Sequence, residues 1–320
     1  MDDRSAPLGD DAPLLRLLQG LEAAGYDFVT PTPLTHARVL ARRPERTARD
    51  LREALGWSLP FHRADLPPEP VDLLDAAGAL EKDGARLRST VRVSRLRGLL
   101  FLHSAYPTDA ADAVFLGPDS YRFADFIAAE LAGREWVGRL ADVGGGAGVG
   151  AITAAARRGR AQVLLTDVNP AALRLARVNA AHAGVPLETR QAADLAGAPD
   201  GLDLILANPP YIAGAGQTYQ AGGDLHGGRV SLEWAKAALP KLAPGGRLLL
   251  YTGSAILDGG RDRLKAELQA AADAAGARLA YRELDPDVFG EELDKPAYAD
   301  AERIAAVGAV FTRPRTAERA

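Results

Sequence analysis

The sequence predicts an α/β fold: a doubly wound, mostly parallel sheet of seven strands with helices on both faces, preceded by a smaller α+β part. Three observations predict it. From residue 139 onward, short apolar runs alternate with amphipathic stretches at the spacing of strand–helix units. The first run, Leu140-Ala141-Asp142-Val143, passes directly into Gly144-Gly145-Gly146-Ala147-Gly148, a turn that lets a ligand approach the backbone. A later run, Leu204-Ile205-Leu206-Ala207, stops at the rigid tip Asn208-Pro209-Pro210-Tyr211. Both tips fall at the carboxyl ends of parallel strands, where open α/β sheets bind their ligands.

Composition narrows the class. The 320 residues suit one large domain or two, and 47% hydrophobic with 25% charged residues is the mix of a globular protein. No apolar run reaches the length of a membrane span, and the start Met1-Asp2-Asp3-Arg4 is acidic. The chain has no cysteine, which excludes disulfides, thiolate catalysis and cysteine-based zinc sites and makes a cytoplasmic location the simplest expectation. A formal net charge of -4 argues against a general polyanion coat. His36, His62, His103, His182 and His226 are scattered without metal-ligand spacing, so no metal is expected.

In chain order, residues 1–11 read as a frayed tail, and Leu14 to Ala24 has helical spacing closed by Gly25. Asp27 to Thr30 reads as extended, and Pro31-Thr32-Pro33 breaks any regular element. Leu34 to Arg43 predicts a second helix with Pro44 near its end. Ala48 to Leu55 predicts a third, capped by Thr47 and ended by Gly56. Asp65 to Pro70 reads as a proline-rich turn, and Val71 to Ala77 as a short helix. Leu80 to Leu87 reads as a hairpin around Asp83-Gly84. Helices followed by a hairpin suggest a winged-helix-like module. Arg86, Arg88, Arg92, Arg95 and Arg97 then fall within twelve residues that hold no acid, with Arg88 and Arg92 on one strand face. They read as phosphate contacts for a nucleic acid; a solvated strand face in an arginine-rich protein is the competing reading.

Leu99 to His103 is an apolar strand. Gly117-Pro118-Asp119 predicts a turn, with Asp119 or Ser120 capping a helix through Leu131. This places a domain boundary near residue 112: residues 1–111 as a substrate-recognition or accessory domain, residues 112–320 as the catalytic one. Strands are expected at 139–143, 162–166, 186–190, 202–207, 245–252, 277–284 and 305–312, and helices at 149–158, 170–183, 230–242 and 260–275. No crossover helix fits between the last two strands, which therefore pair antiparallel and give a mixed-direction edge. Trp57, Trp136 and Trp234 read as packing residues.

Chemistry-bearing residues gather on the strand tips. Gly144, Gly146 and Gly148 permit a tight turn, and Asp142 either holds that turn or meets a cationic amino group. Asp167, ending the next strand, can accept from two ribose hydroxyls, whether the adenosine belongs to NAD or to another nucleoside cofactor. Asp194, after the third, can accept from an adenine amine. Each aspartate alone could be a cap or turn residue; their positions after three successive strands favour the joint reading. Asn208 offers a side-chain carbonyl and Pro209 a backbone carbonyl. Together they can accept both hydrogens of a planar NH₂ group and aim its lone pair at an incoming electrophile. Tyr211 can stack on a flat substrate. The loop from Tyr219 to Arg229 suits a lid, with His226 as a substrate contact or a turn residue.

These residues resemble the class I S-adenosylmethionine-dependent methyltransferases that carry the Asn-Pro-Pro-Tyr signature, over roughly residues 112–315. The resemblance implies a Rossmann-like seven-stranded sheet with an antiparallel last strand. It also implies S-adenosylmethionine as cofactor, with the glycine loop around its methionine part, Asp167 on ribose, Asp194 on adenine, and Asn208 to Tyr211 positioning the target nitrogen. Members act on glutamines of peptide-chain release factors, on ribosomal RNA guanines, and on adenines of DNA or RNA. Leu116-Gly117-Pro118-Asp119 is similar to the segment ahead of the glycine loop in the release-factor type, without the arginine usual there. The arginine cluster tips the expectation toward the exocyclic amine of an RNA base. N5-methylation of a protein glutamine is the alternative. A small-metabolite methyltransferase, a non-catalytic nucleic-acid-binding protein and an NAD-dependent oxidoreductase stand behind them.

Overall fold

The computed structural model describes residues 9–42, 46–133, 138–156, 161–195, 197–213 and 222–315. Trp136, Pro44 and the Tyr219–Ala221 part of the expected lid lie outside these residues. The N-terminal part is α+β. Helices α1 (Ala12–Ala23), α2 (Pro33–Ala41), α3 (Leu51–Leu55) and α4 (Pro68–Ala76) precede two hairpins. One joins β1 (Leu80–Asp83) to β2 (Arg86–Ser89) through Gly84; the other joins β3 (Val91–Leu96) to β4 (Leu99–Ser104). Two helix starts differ from expectation for local reasons. Asp50, not Thr47, caps α3, its carboxylate accepting from the Glu53 N–H at 2.8 Å. Helix α4 begins at Pro68, inside the expected turn, because a fixed φ suits a first helical turn.

The expected basic strand is not continuous. The chain turns at Ser89–Thr90, where the buried Ser89 hydroxyl donates to the Val91 carbonyl at 2.7 Å, so β2 and β3 belong to different hairpins. Arg88 and Arg92 therefore do not share a face. Arg92 is only 3% exposed; its Nε donates to the Ser104 carbonyl at 3.1 Å. Arg86 and Arg88 pair with Asp83, Arg95 with Glu22 and Asp27, and Arg97 with Asp125. Alternation along a strand predicts a face only while the register persists, and the Ser89 turn resets it.

Helix α5 (Pro118–Leu131) opens the second part. Gly117 occupies the N-cap position expected of Asp119 or Ser120, since the helix starts with Pro118 in its first turn. Ser120 accepts from the Gly117 N–H, and Asp119 instead accepts from the Tyr251 hydroxyl at 2.7 Å. There follow β5 (Arg139–Val143), α6 (Val149–Ala155), β6 (Gln162–Asp167), α7 (Pro170–His182), β7 (Glu188–Gln191) and β8 (Leu202–Ala207). The remainder comprises α8 (Arg229–Ala238), β9 (Leu242–Leu257), β10 (Arg261–Asp262), α9 (Arg263–Ala274), β11 (Arg278–Asp285) and β12 (Ala301–Thr312). The sheet order is β11-β12-β9-β8-β5-β6-β7, with short β10 against β9. Strands β5, β6, β7, β8 and β9 run parallel, and β12 is antiparallel to both neighbours. This is the expected Rossmann-like mixed sheet. Its last strand lies inside the expected mixed edge, between β9 and β11, rather than at the rim.

Strand β5 has β6 on one side and β8 on the other, so the chain order reverses at its carboxyl end and opens a crevice there. One sheet face buries Leu232 and Ala235 of α8 with Leu264 and Leu268 of α9; the other buries Ile127 of α5, Ile152 of α6 and Ala176 of α7. The opposite side of α7 packs Leu175 and Val178 against Leu14, Leu17 and Leu21 of α1 and Leu100 and Leu102 of β4. Buried Asn179 of α7 locks this junction. It exchanges hydrogen bonds with the Leu102 backbone at 2.8 and 3.0 Å and donates to the Ala147 carbonyl of the glycine loop at 2.9 Å. The N-terminal part is thus tied to the loop that shapes the crevice. No helix among the described residues is long and apolar enough to cross a membrane.

Candidate active site

The crevice encloses a cavity of about 610 Å³, a size suited to a nucleoside-containing ligand. Its floor is the turn after β5. Gly144 and Gly146 take φ of +59° and +53°, a left-handed conformation that glycine adopts without strain. Three anchors hold the turn: the Ala147 carbonyl on Asn179, the Gly145 N–H on the Thr166 carbonyl at 3.0 Å, and the Gly146 N–H on Asp167 Oδ2 at 2.9 Å. Asp167 Oδ1 accepts from the Asn169 N–H at 2.9 Å, and burial pushes the carboxyl pKa up against these hydrogen bonds.

Asp142 is 1% exposed and lines the cavity. Its Oδ2 accepts from the Ala151 N–H at 2.7 Å, while Oδ1 is buried with no partner among the described residues. Burial pushes this carboxyl up to about 7; the Ala151 hydrogen bond opposes the shift and the Asp167 charge adds to it. An orphaned acceptor of this kind calls for a donor from a ligand, and an ammonium group meets that need. The residues therefore fit a cofactor that brings an amino group to Asp142 and an adenosine toward Asp167.

The opposite wall is the tip of β8. Asn208 and Pro210 are half-buried, and Pro209 and Tyr211 are buried; all four line the cavity. The Tyr211 ring presses on β9, where a Cβ added at Gly253 would come within 2.3 Å of it. It meets Tyr251 and Phe289 edge-on at 6.5 and 5.8 Å. Much of the ring expected to stack on substrate is thus engaged in packing. Its hydroxyl is buried near Asp119; burial first, then the Asp119 charge, push its pKa well up.

Of the expected residues, Asp142, Gly144, Gly146, Asp167 and Asn208 through Tyr211 share the one cavity. Gly148 caps α6 and does not line it, and Asp194 lies just past the lining residues Ala192 and Ala193. His226 faces away: its Nε2 pairs with Asp300 Oδ1 at 2.8 Å and it lines a separate depression with Asp224 and Arg229. Other lining residues carry no site signal in the sequence. Trp234, read as packing, covers Gly144. Asp119, read as a cap, faces the cavity, and Phe289 enters from the irregular segment between β11 and β12. Pro33 and Leu34 come from α2 in the N-terminal part; Leu34 is 48% exposed there and Val168, following Asp167, 60%. Exposed apolar residues on a cavity rim were the available signal, but only the fold reveals the rim.

The Methyltransferase small domain family model matches residues 124–269. The chain is similar to a release factor glutamine methyltransferase of Cereibacter sphaeroides, 32% identical over 237 residues that make up 68% of this chain and 82% of that protein. It is 30% identical to a release factor glutamine methyltransferase of Bordetella pertussis over 246 residues, covering 73% of this chain and 84% of that protein. It is also similar to a ribosomal RNA small subunit methyltransferase C of Hahella chejuensis, 36% identical over 121 residues, which cover 38% of this chain and 32% of that one.

Proposed function

We propose, on the premise that the chain belongs to the class I S-adenosylmethionine-dependent methyltransferases of the release-factor glutamine methyltransferase-like, small-domain type, that its methyl acceptor is the side-chain nitrogen of a glutamine in a polypeptide such as a release factor. The observation that carries this choice of target is the similarity to release factor glutamine methyltransferases, which extends over more than four-fifths of two of them. The RNA-methyltransferase similarity covers about a third of its relative. The arginine cluster that favoured an RNA base gives it little support: Arg92 is buried and the other four meet acidic side chains. Residues 1–111 act in this reading as the accessory domain and 112–320 as the catalytic one, in a cytoplasmic enzyme.

The chain's own residues would divide the work as follows. Asp142 Oδ1 receives the cofactor's amino group, Asp167 the ribose hydroxyls, and Asp194 the adenine amine. The carbonyls of Asn208 and Pro209 accept the two hydrogens of the target NH₂ and hold its lone pair in line. S-adenosylmethionine supplies an electrophilic methyl on a positively charged sulfur, which keeps the C–S electron pair on release. The acceptor nitrogen forms the new N–C bond and loses one proton to water. Tyr211 and Trp234 keep bulk solvent from the two ends of the path.

The test is transfer of labelled methyl from S-adenosylmethionine to release-factor protein and, in parallel, to ribosomal RNA. Label on a glutamine, lost in Asn208→Ala, is the expected result. Label confined to RNA would overturn the glutamine reading.

A further inference from the structure

We infer that Phe289 and Glu291, on the segment between β11 and β12, form a lip that selects the target, Phe289 walling the slot for the carboxamide side chain and Glu291 receiving a cationic residue beside it in the polypeptide. The inference rests on the glutamine reading above and deepens it.

Phe289 lines the cavity beside the Asn208–Tyr211 tip, with its ring centroid 5.8 Å from that of Tyr211 at an interplanar angle of 69°. Its backbone sits at φ +56° and ψ +42°. That left-handed region is uncommon for an aromatic residue. The surroundings impose it. The Val288 N–H is pinned to the Ile304 carbonyl of β12 at 2.8 Å, and the Phe289 carbonyl accepts from the Glu292 N–H at 2.9 Å. The chain is thereby bent so that an aromatic ring faces the crevice. On the far side, Gly253 stops Tyr211 from withdrawing. The two rings meet edge to face and form a continuous apolar wall of the cavity that Asn208 and Pro209 also line, a surface for the aliphatic stem of a glutamine to lie against.

Charge then decides the kind of polymer. The described residues lining the cavity include the carboxylates Asp119, Asp142, Asp167, Glu291 and Glu292, and no lysine, arginine or histidine. Asp119 is engaged by Tyr251 and Arg122, and Glu292 by Lys295. Glu291 is exposed on the rim. A phosphodiester entering past it would meet like charge, whereas a lysine or arginine next to the target residue would find a partner. The attraction rests on one side chain, so a single substitution tests it.

The experiment uses the full chain, release-factor protein and ribosomal RNA as acceptors, with KM, kcat and cofactor affinity measured for each variant. Glu291→Gln is expected to raise KM for the protein acceptor about fivefold at low salt, with kcat unchanged and the effect fading as salt rises. Glu291→Asp restores part of it. Phe289→Ala is expected to lower kcat about tenfold through a loosened target, and Phe289→Tyr to recover most of the loss. Unchanged S-adenosylmethionine affinity in all four certifies the fold. Label on the wild-type protein acceptor, with every variant indistinguishable from wild type, overturns the lip alone. No label on any protein from the wild type overturns the glutamine reading and the lip with it. Faster transfer to the protein acceptor in Glu291→Gln would also overturn the lip.

Discussion

The indole of Trp234 lies on the Cα of Gly144: a Cβ added there would sit 2.3 Å from the ring atom Cη2. Gly144 also holds φ at +59°. Two independent constraints thus meet at the first residue after β5, one steric and one conformational. Gly144→Ala should displace the indole or the turn and weaken S-adenosylmethionine binding at least tenfold, with a smaller loss of global stability. Titration calorimetry reads the affinity, and the Trp234 emission reports the displaced ring. Wild-type affinity in the variant would show that the turn can yield without consequence to the ligand.

Asp167 and Asn208 lie on opposite sides of the same cavity and should separate binding from transfer. Asp167→Ala removes the acceptor for the Gly146 and Asn169 N–H groups as well as the carboxylate proposed to meet the ribose. Cofactor affinity should fall by about ten- to a hundredfold. Asn208→Ala should keep the affinity and lower kcat by about a hundredfold or more, because only the orientation of the nitrogen is lost. Equal effects of the two variants on both quantities would refute the division.

The local signals were sufficient wherever a strand and its exit turn sit next to each other in sequence. Strands β5 and β8 have the bounds expected of them, and Asp142, Gly144, Asn208 and Tyr211 enter one cavity because each lies at such a tip. What sequence could not reveal came from partners brought in by the fold. Trp234 looks like any helix-packing residue until α8 is laid over the glycine turn. Phe289 sits in an irregular stretch without periodicity, and its role depends on β12 inserting between β9 and β11. Pro33 and Leu34 reach the rim from α2, far away in sequence. The arginine cluster shows the converse: five cations close in sequence are divided between two hairpins, one of them buried and the other four beside acidic side chains.

Arg92 and Arg88 now carry opposite expectations. Arg92 is buried with its Nε on the Ser104 carbonyl, and His36 beside it is held neutral, with its pKa lowered to about 4 by burial and then by the Arg92 charge. Arg92→Ala leaves a buried acceptor and a void, and should cost about 2–4 kcal/mol of stability. Arg88→Ala changes a half-buried ion pair with Asp83 and should stay within about 1 kcal/mol. Urea denaturation of both variants checks this. A salt-dependent loss of RNA binding in Arg88→Ala, with Arg92→Ala fully stable, would restore the basic surface.

The orphaned oxygen of Asp142 makes cofactor binding a proton-linked event. In the free protein its carboxyl titrates near 7, raised by burial. The sign for stability is that of a raised acid: its contribution is fully present below about pH 4 and is lost as pH rises through about 7, because the unfolded chain ionises its aspartate first. An ammonium group arriving at Oδ1 favours the ionised form and must expel the proton at lower pH. S-adenosylmethionine affinity should therefore increase from about pH 6 to about pH 8, with proton release that diminishes over the same window. Calorimetry in two buffers of different ionisation enthalpy measures the release directly. Asp142→Asn keeps the size of the side chain and removes the titration, so its affinity should be lower and flat across this range. A wild type that binds without releasing protons would mean that Asp142 holds the turn alone and the amino group lies elsewhere.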